Sequence, residues 1–162
     1  LSITGLWAYH YYDEFKKLIA WEQEKKLDII WVNHSFHHQL SPNENGKLLF
    51  LTKPGLDFEN EIIQLEKFLL EQGELFSVFF RFPGLTDNEE LRNKLVNFSL
   101  FNLGSNAWLS KGEKIKNNSI ILLHGNGNDP IGTKIFLRQL GIREISFLNE
   151  LEAFVSSMQI IR

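Results

Sequence analysis

The chain has 162 residues, a formal net charge of -3 at pH 7 and no cysteine. This length fits one domain and is short for a complete α/β barrel, which typically takes about 250 residues. Hydrophobic residues make up 43% of the sequence, which predicts a folded globular protein. The sequence has no basic block that would indicate nucleic-acid binding, no apolar run long enough for a membrane span, and no thiol for a disulfide or a metal.

Strand and helix patterns alternate along the chain. In the first half, strands are predicted over 1–6, 27–32 and 75–80, helices over 13–26 and 57–72, and a long loop over 39–55. In the second half, helices are predicted over 87–95, 131–140 and 149–158, and strands over 100–103, 120–123 and 145–148. Strands that alternate with helices predict a mostly parallel sheet with right-handed crossovers.

Three histidines follow the second predicted strand. The apolar run 27–32 ends in Asn33, and His34, His37 and His38 come next. Imidazoles four positions apart, as at 34 and 38, can bind one metal ion. The alternative is that these rings only form hydrogen bonds with nearby carbonyl groups. The spacing alone leaves both interpretations open, because a structural zinc site would need four ligands.

Polar residues also follow three later strands. They are Arg81 with Pro83 and Gly84, Asn106 with Trp108, and His124. Since the carboxyl ends of parallel strands meet on one rim, we expect these residues and the histidine pair to converge on one pocket. Each signal is weak by itself, because an Arg-Phe-Pro-Gly segment is usually a turn and a single histidine is usually structural.

In their order and spacing these segments resemble the polysaccharide deacetylases, which are metal-dependent carbohydrate esterases with a distorted, incomplete (β/α) barrel. Residues 34–38 (His-Ser-Phe-His-His) match the family's His-Ser/Thr-x-x-His motif, and 81–84 (Arg-Phe-Pro-Gly) match its Arg motif. Residues 122–124 (Leu-Leu-His) match its last motif, and 106–108 (Asn-Ala-Trp) are the counterpart of a motif that usually holds an Asp near a Trp. The resemblance extends from residue 1 to about residue 140.

The resemblance implies a divalent metal, most often zinc, bound by His34 and His38. It also implies that His124 is the general acid and that Arg81 orients the catalytic base. Substrate contacts are expected from Phe36, Pro83 and Trp108. The implied function is removal of acetyl groups from an N- or O-acetylated polysaccharide such as chitin or peptidoglycan, outside the cytoplasm.

The sequence departs from the family in its carboxylates. The family's adjacent Asp pair, which supplies the base and the third metal ligand, is absent, and position 106 is Asn. We therefore interpret residues 1–162 as one N-terminally truncated domain whose first barrel strand is missing, and we expect it alone to release little or no acetate. Asp129 follows a strand on the same rim, but its position before Pro130 favours a helix N-cap over a catalytic base.

Two other functions remain open. One is an inactive remnant that keeps a carbohydrate-binding groove, lined by Trp7, Tyr9, Tyr11, Phe36 and Trp108. The other is a plain α/β domain with structural histidines. A missing first strand would leave the edge of the strand at 1–6 unpaired, so we expect a second copy, a missing segment or the helix near 151–158 to cover it. Self-association is one consequence.

Overall fold

The computed structural model describes residues 1–43 and 48–142. The chain divides into two compact units, Leu1–Gly104 and Ser105–Arg162. Both units combine helices with parallel strands, which confirms the predicted α/β class with a mostly parallel sheet. The incomplete barrel remains a prediction. No helix within the described ranges is long and apolar enough to cross a membrane.

The first unit is built around a four-stranded sheet. The first unit contains six strands among the described residues: β1 (Ser2–Ile3), β2 (Val32–Asn33), β3 (Ser41–Pro42), β4 (Leu48–Leu49), β5 (Phe79–Phe80) and β6 (Phe101–Asn102). Its helices are α1 (Gly5–His10), α2 (Tyr12–Gln23), α3 (Phe58–Glu71) and α4 (Glu89–Asn97). The sheet has the order β1-β2-β5-β6 and is parallel throughout, whereas β3 and β4 form a separate antiparallel pair in the predicted loop.

Helices cover this sheet because each has a stripe of apolar residues. On α3, Ile62, Leu65 and Leu69 are buried at helical spacing. The helix begins after Asp57, whose side chain accepts a hydrogen bond from the backbone N–H of Asn60, and it ends just before Gly73. The predicted helix over 57–72 is therefore confirmed. On α2, Phe15 and Ile19 are buried, whereas Trp21 is exposed.

The predicted strands are longer than the observed ones. The apolar run 75–80 predicts one continuous strand, but Leu75 and Phe76 are 84% and 64% exposed, and within this run only Phe79 and Phe80 pair with β2. In the same way, Leu27 is exposed and burial begins only at Trp31. An apolar run does not reveal where the chain enters the core, so the longer strand predictions were wrong at their N-terminal ends.

The N-terminal segment also differs from its prediction. The strand expected over 1–6 ends at Ile3, and residues Gly5–His10 form the helix α1, which the sequence did not predict. The cause is Thr4, whose hydroxyl oxygen accepts a hydrogen bond from the backbone N–H of Trp7 and so caps the new helix. Within the described residues, β1 lies at one end of the sheet order.

The second unit pairs two parallel strands, β7 (Ala107–Trp108) and β8 (Ile121–Leu122), followed by α5 (Pro130–Leu140). Pro130 occupies the first turn of α5, and the Asp129 side chain accepts a hydrogen bond from the backbone N–H of Gly132. The predicted helix and its N-cap are therefore confirmed. The strand predicted over 145–148 and the helix predicted over 149–158 lie outside the described residues. That helix is one of the three expected covers of the β1 edge, and all three remain predictions.

Candidate functional site

Asn33 anchors the loop that carries the three histidines. It is the last residue of β2 and is completely buried. Its amide nitrogen donates to Glu66 Oε1 at 2.7 Å and to the Ile62 carbonyl at 3.2 Å, both on α3. Its oxygen accepts from the backbone N–H of Ser35 at 2.9 Å. Because both the NH₂ group and the oxygen of a buried amide need hydrogen-bond partners, these contacts hold Asn33, and with it the start of the loop, against α3.

Two residues with positive φ fold the loop back on itself. Ser35 has φ 66° and His38 has φ 50°, and the Ser35 hydroxyl accepts a hydrogen bond from the His38 N–H at 3.0 Å. As a result, the rings of His34 and His38 contact each other edge to face, with centroids 4.9 Å apart and an angle of 68° between their planes. The structure therefore brings together the two residues that the sequence predicts as metal ligands.

The His34 ring is held by a backbone carbonyl. Its Nδ1 donates to the carbonyl oxygen of Arg81 at 2.7 Å, so the lone pair of the neutral ring resides on Nε2. Metal-binding histidines commonly have this arrangement, in which a carbonyl orients the ring from its far side. No third His, Asp or Glu joins the pair to form a metal-binding group within residues 1–43 and 48–142.

Arg81 directly follows β5 and is buried. Its Nε donates to the Leu103 carbonyl at 3.1 Å and a terminal nitrogen donates to the Gly104 carbonyl at 3.0 Å, which ties the ends of β5 and β6 together. Burial lowers the pKa of Arg81. No carboxylate forms an ion pair with it in the part of the chain that the structure describes. Its expected role in orienting a base remains a prediction.

The turn after Arg81 depends on Gly84. Its φ is 64°, and a Cβ at this position would lie 2.2 Å from the ring of Phe50. That ring also contacts His38 edge-on, with centroids 5.4 Å apart. Pro83 is fully buried, and Phe36 packs against Gly5, where a Cβ would lie 2.1 Å from the Phe36 ring. Substrate contacts by Phe36 and Pro83 remain predictions.

We expect Gly84→Ala to lower the free energy of unfolding by about 2–3 kcal/mol, because it adds strain at positive φ and a clash with Phe50. Gly73→Ala is the matched control, since Gly73 also has positive φ but a Cβ there would meet no surrounding atom within 4 Å. It should cost only about 1 kcal/mol. Urea denaturation of both variants measures the difference, and equal losses would show that Phe50 does not restrict this turn.

His37 contacts a different group from its two neighbours. Its Nδ1 donates to Glu61 Oε1 at 2.7 Å, and its backbone N–H donates to Glu61 Oε2 at 2.8 Å. Glu61 is buried on α3. Both residues line a cavity of about 240 Å³ together with Gln39, Lys53, Pro54, Gly55, Leu56, Asp57 and Asn60. No sequence signal indicated Glu61, because no local spacing relates it to His37, which lies 24 positions away.

In the second unit, Trp108 and His124 pack together, with ring centroids 5.7 Å apart. The indole N–H of Trp108 donates to Asp129 Oδ2 at 3.2 Å, and the Ser110 hydroxyl donates to the same oxygen at 2.6 Å. The hydrogen bond from Ser110 is the main cause that lowers the pKa of Asp129. Lys111 Nζ lies 3.4 Å from the centroid of the Trp108 ring, a cation–π contact.

Asn106 has a structural role in this unit. Its side-chain oxygen accepts a hydrogen bond from the backbone N–H of Ile120 at 2.8 Å, which holds the start of β8. For Asp129 the sequence predicted only a helix N-cap. The structure shows that its side chain also contacts Trp108 and faces His124. Convergence of His124 and Trp108 with the histidine pair on one pocket remains a prediction.

Comparisons with known proteins do not assign a family. No protein-family model matches the chain, and no solved structure matches it. The resemblance to the polysaccharide deacetylases therefore depends on the motifs in the sequence.

Proposed function

We propose that this protein is a metal-dependent hydrolase that removes acetyl groups from an N- or O-acetylated polysaccharide. The observation that carries the proposal is the histidine pair. The rings of His34 and His38 are adjacent, and the Nδ1 of His34 is occupied by the Arg81 carbonyl, so that Nε2 has the lone pair a metal needs. The chemistry of this donor set fits a divalent ion such as zinc, for which imidazole is a preferred ligand.

The metal site and the general acid of this reaction then have candidate residues. A divalent metal held by His34 and His38 would polarise the acetyl carbonyl and lower the pKa of its bound water to about 7. His124 donates a proton to the leaving nitrogen or oxygen, a step that typically contributes about 10²–10⁴-fold to the rate. Trp108 packs against the His124 ring and limits its movement. The base is expected from the carboxylate pair that the family has and that this sequence lacks.

The test is acetate release from chitin oligomers and from peptidoglycan, with zinc or cobalt added. It uses the gene product with whatever residues are encoded before Leu1, compared with residues 1–162 alone. We expect release by the longer protein when it carries an adjacent Asp pair. The His124→Ala variant should lose activity by about 10²-fold or more, because it removes the general acid. Absence of acetate release from the longer protein under all these conditions would refute the proposal.

A second candidate is a carbohydrate-binding module without catalysis. It is favoured by the aromatic residues of the α1 segment, where Tyr9 is 69% exposed and Tyr11 is 55% exposed, and Tyr11 stacks on Trp7 at 6.3 Å between centroids. Exposed aromatic rings combine an apolar face with a polar edge, which suits sugar binding. This candidate predicts that the protein sediments with insoluble chitin or peptidoglycan but releases no acetate, and that Tyr9→Ala reduces this sedimentation.

A further inference from the structure

Asp129 lies at the centre of a cluster of polar contacts in the second unit. Its Oδ2 accepts hydrogen bonds from Ser110 and from the Trp108 indole, and its Oδ1 accepts one from the Gly132 N–H at 3.2 Å. These donors come from three different segments: the end of β7, the turn after it, and the first turn of α5. The position of the carboxylate is therefore fixed by more contacts than a helix N-cap requires.

The imidazole of His124 faces this carboxylate. Its Nδ1 lies 3.7 Å from Asp129 Oδ2, is fully buried and has no hydrogen-bond partner among the residues that the structure describes. One third of the His124 side chain is exposed, so the exposed part of the ring lies away from Nδ1. A buried ring nitrogen beside a fixed carboxylate is stabilised when it carries a proton, because the N–H dipole then points toward the negative charge.

We infer that Asp129 is a positioning residue for His124, which keeps a proton on Nδ1 and leaves Nε2 as the nitrogen that exchanges protons with a substrate. The family resemblance did not indicate this residue. It placed the carboxylate near Trp108, where this chain has Asn106, and Asn106 is bound to the backbone of Ile120. The role of His124 as an acid depends on the proposed function, whereas the coupling of Asp129 to His124 does not.

In the proposed reaction, water adds to the acetyl carbonyl and forms a tetrahedral intermediate. When the tetrahedral intermediate collapses, the bond from the acetyl carbon to the leaving atom breaks, and its electron pair stays on that atom. The leaving atom takes the proton from His124 Nε2. His124 then becomes neutral with its remaining proton on Nδ1, directed at Asp129. The carboxylate therefore keeps the remaining ring proton on Nδ1 and selects this tautomer after the transfer.

Nitrogen-15 NMR of the histidine side chains tests the coupling directly, because chemical shifts distinguish the two neutral tautomers. We expect the Nδ1–H tautomer of His124 to predominate in the wild-type protein and in Glu113→Gln. This control also changes a carboxylate to an amide beside Trp108, since Glu113 Oε2 accepts a hydrogen bond from the backbone N–H of Trp108 at 2.6 Å. In Asp129→Asn and Asp129→Ser, at least about half of the neutral ring should shift to Nε2–H. Serine is a good N-cap, so Asp129→Ser keeps the cap on α5.

An Nε2–H tautomer in the wild-type protein would overturn the inference, and so would an unchanged Nδ1–H tautomer in both Asp129 variants. Where acetate release is measurable, Asp129→Asn should lower kcat about tenfold or more and leave KM within about twofold. Equal kcat values in wild type and Asp129→Asn would also contradict it. If no protein releases acetate, the proposed function fails, and the tautomer measurement still decides whether Asp129 positions His124.

Discussion

Replacing His34 or His38 by alanine should remove zinc binding. Loss of an outer-shell partner usually costs about 10–100-fold in metal affinity, and loss of a ligand itself should cost more. Isothermal titration with Zn²⁺ measures this change, and the absorption spectrum of Co²⁺ in its place reports the ligand geometry. Because His34 and His38 are the only two candidate ligands among residues 1–43 and 48–142, we expect the single variants and the double variant to bind zinc equally poorly.

His10→Ala and His37→Ala are the matched controls. His10 is exposed on α1, where its Nδ1 contacts the Leu6 carbonyl, and His37 pairs with Glu61. Neither ring belongs to the pair at 34 and 38, so removing either should change zinc affinity by less than about tenfold. Unchanged affinity in His34→Ala and His38→Ala, or an equal loss in His10→Ala, would contradict the proposed metal site.

The parts of the fold that the sequence predicted are those with local signals. The helix α3 has an N-cap at Asp57, apolar residues at helical spacing and a glycine after its end, and α5 has Asp129 and Pro130 at its start. The approach of His34 to His38 is also local, since the two residues are four positions apart. Thr4 before an aromatic run was a local signal too, and its capping contact with Trp7 explains why the first strand ends at Ile3 and α1 follows.

The parts that could not be predicted depend on distant contacts. Asn33 is hydrogen-bonded to Glu66, and His37 is hydrogen-bonded to Glu61. Both carboxylates lie on α3, more than 20 positions further along the chain, so these contacts hold the histidine loop against that helix. Helical spacing marks the buried apolar face of α3, but it does not indicate that Glu61 and Glu66 are buried with it. Those two carboxylates are tolerated in the core because hydrogen-bond donors from the loop reach them.

Replacing Asn33 by leucine should destabilise the protein by about 3–5 kcal/mol. The substitution keeps the branched shape of the side chain but leaves the Ser35 N–H and Glu66 Oε1 without the partner that Asn33 provides, and each buried unsatisfied group costs about 1–3 kcal/mol. The larger leucine must also be accommodated in a fully buried position. Glu66 keeps its hydrogen bond from the Ser77 N–H at 2.9 Å, so the loss is partial. Urea denaturation followed by tryptophan fluorescence gives the free energy of unfolding.

Asn93→Leu is the control, because Asn93 is exposed on α4 and the same substitution there should change stability by less than about 0.5 kcal/mol. A cost below about 1 kcal/mol for Asn33→Leu would mean that the loop is held by something other than this amide.

The position of the loop also links the stability of the protein to its proposed zinc binding. Asn33 fixes Ser35, and Ser35 in turn accepts the His38 N–H, so Asn33→Leu should weaken zinc binding in molecules that remain folded, without removing either imidazole.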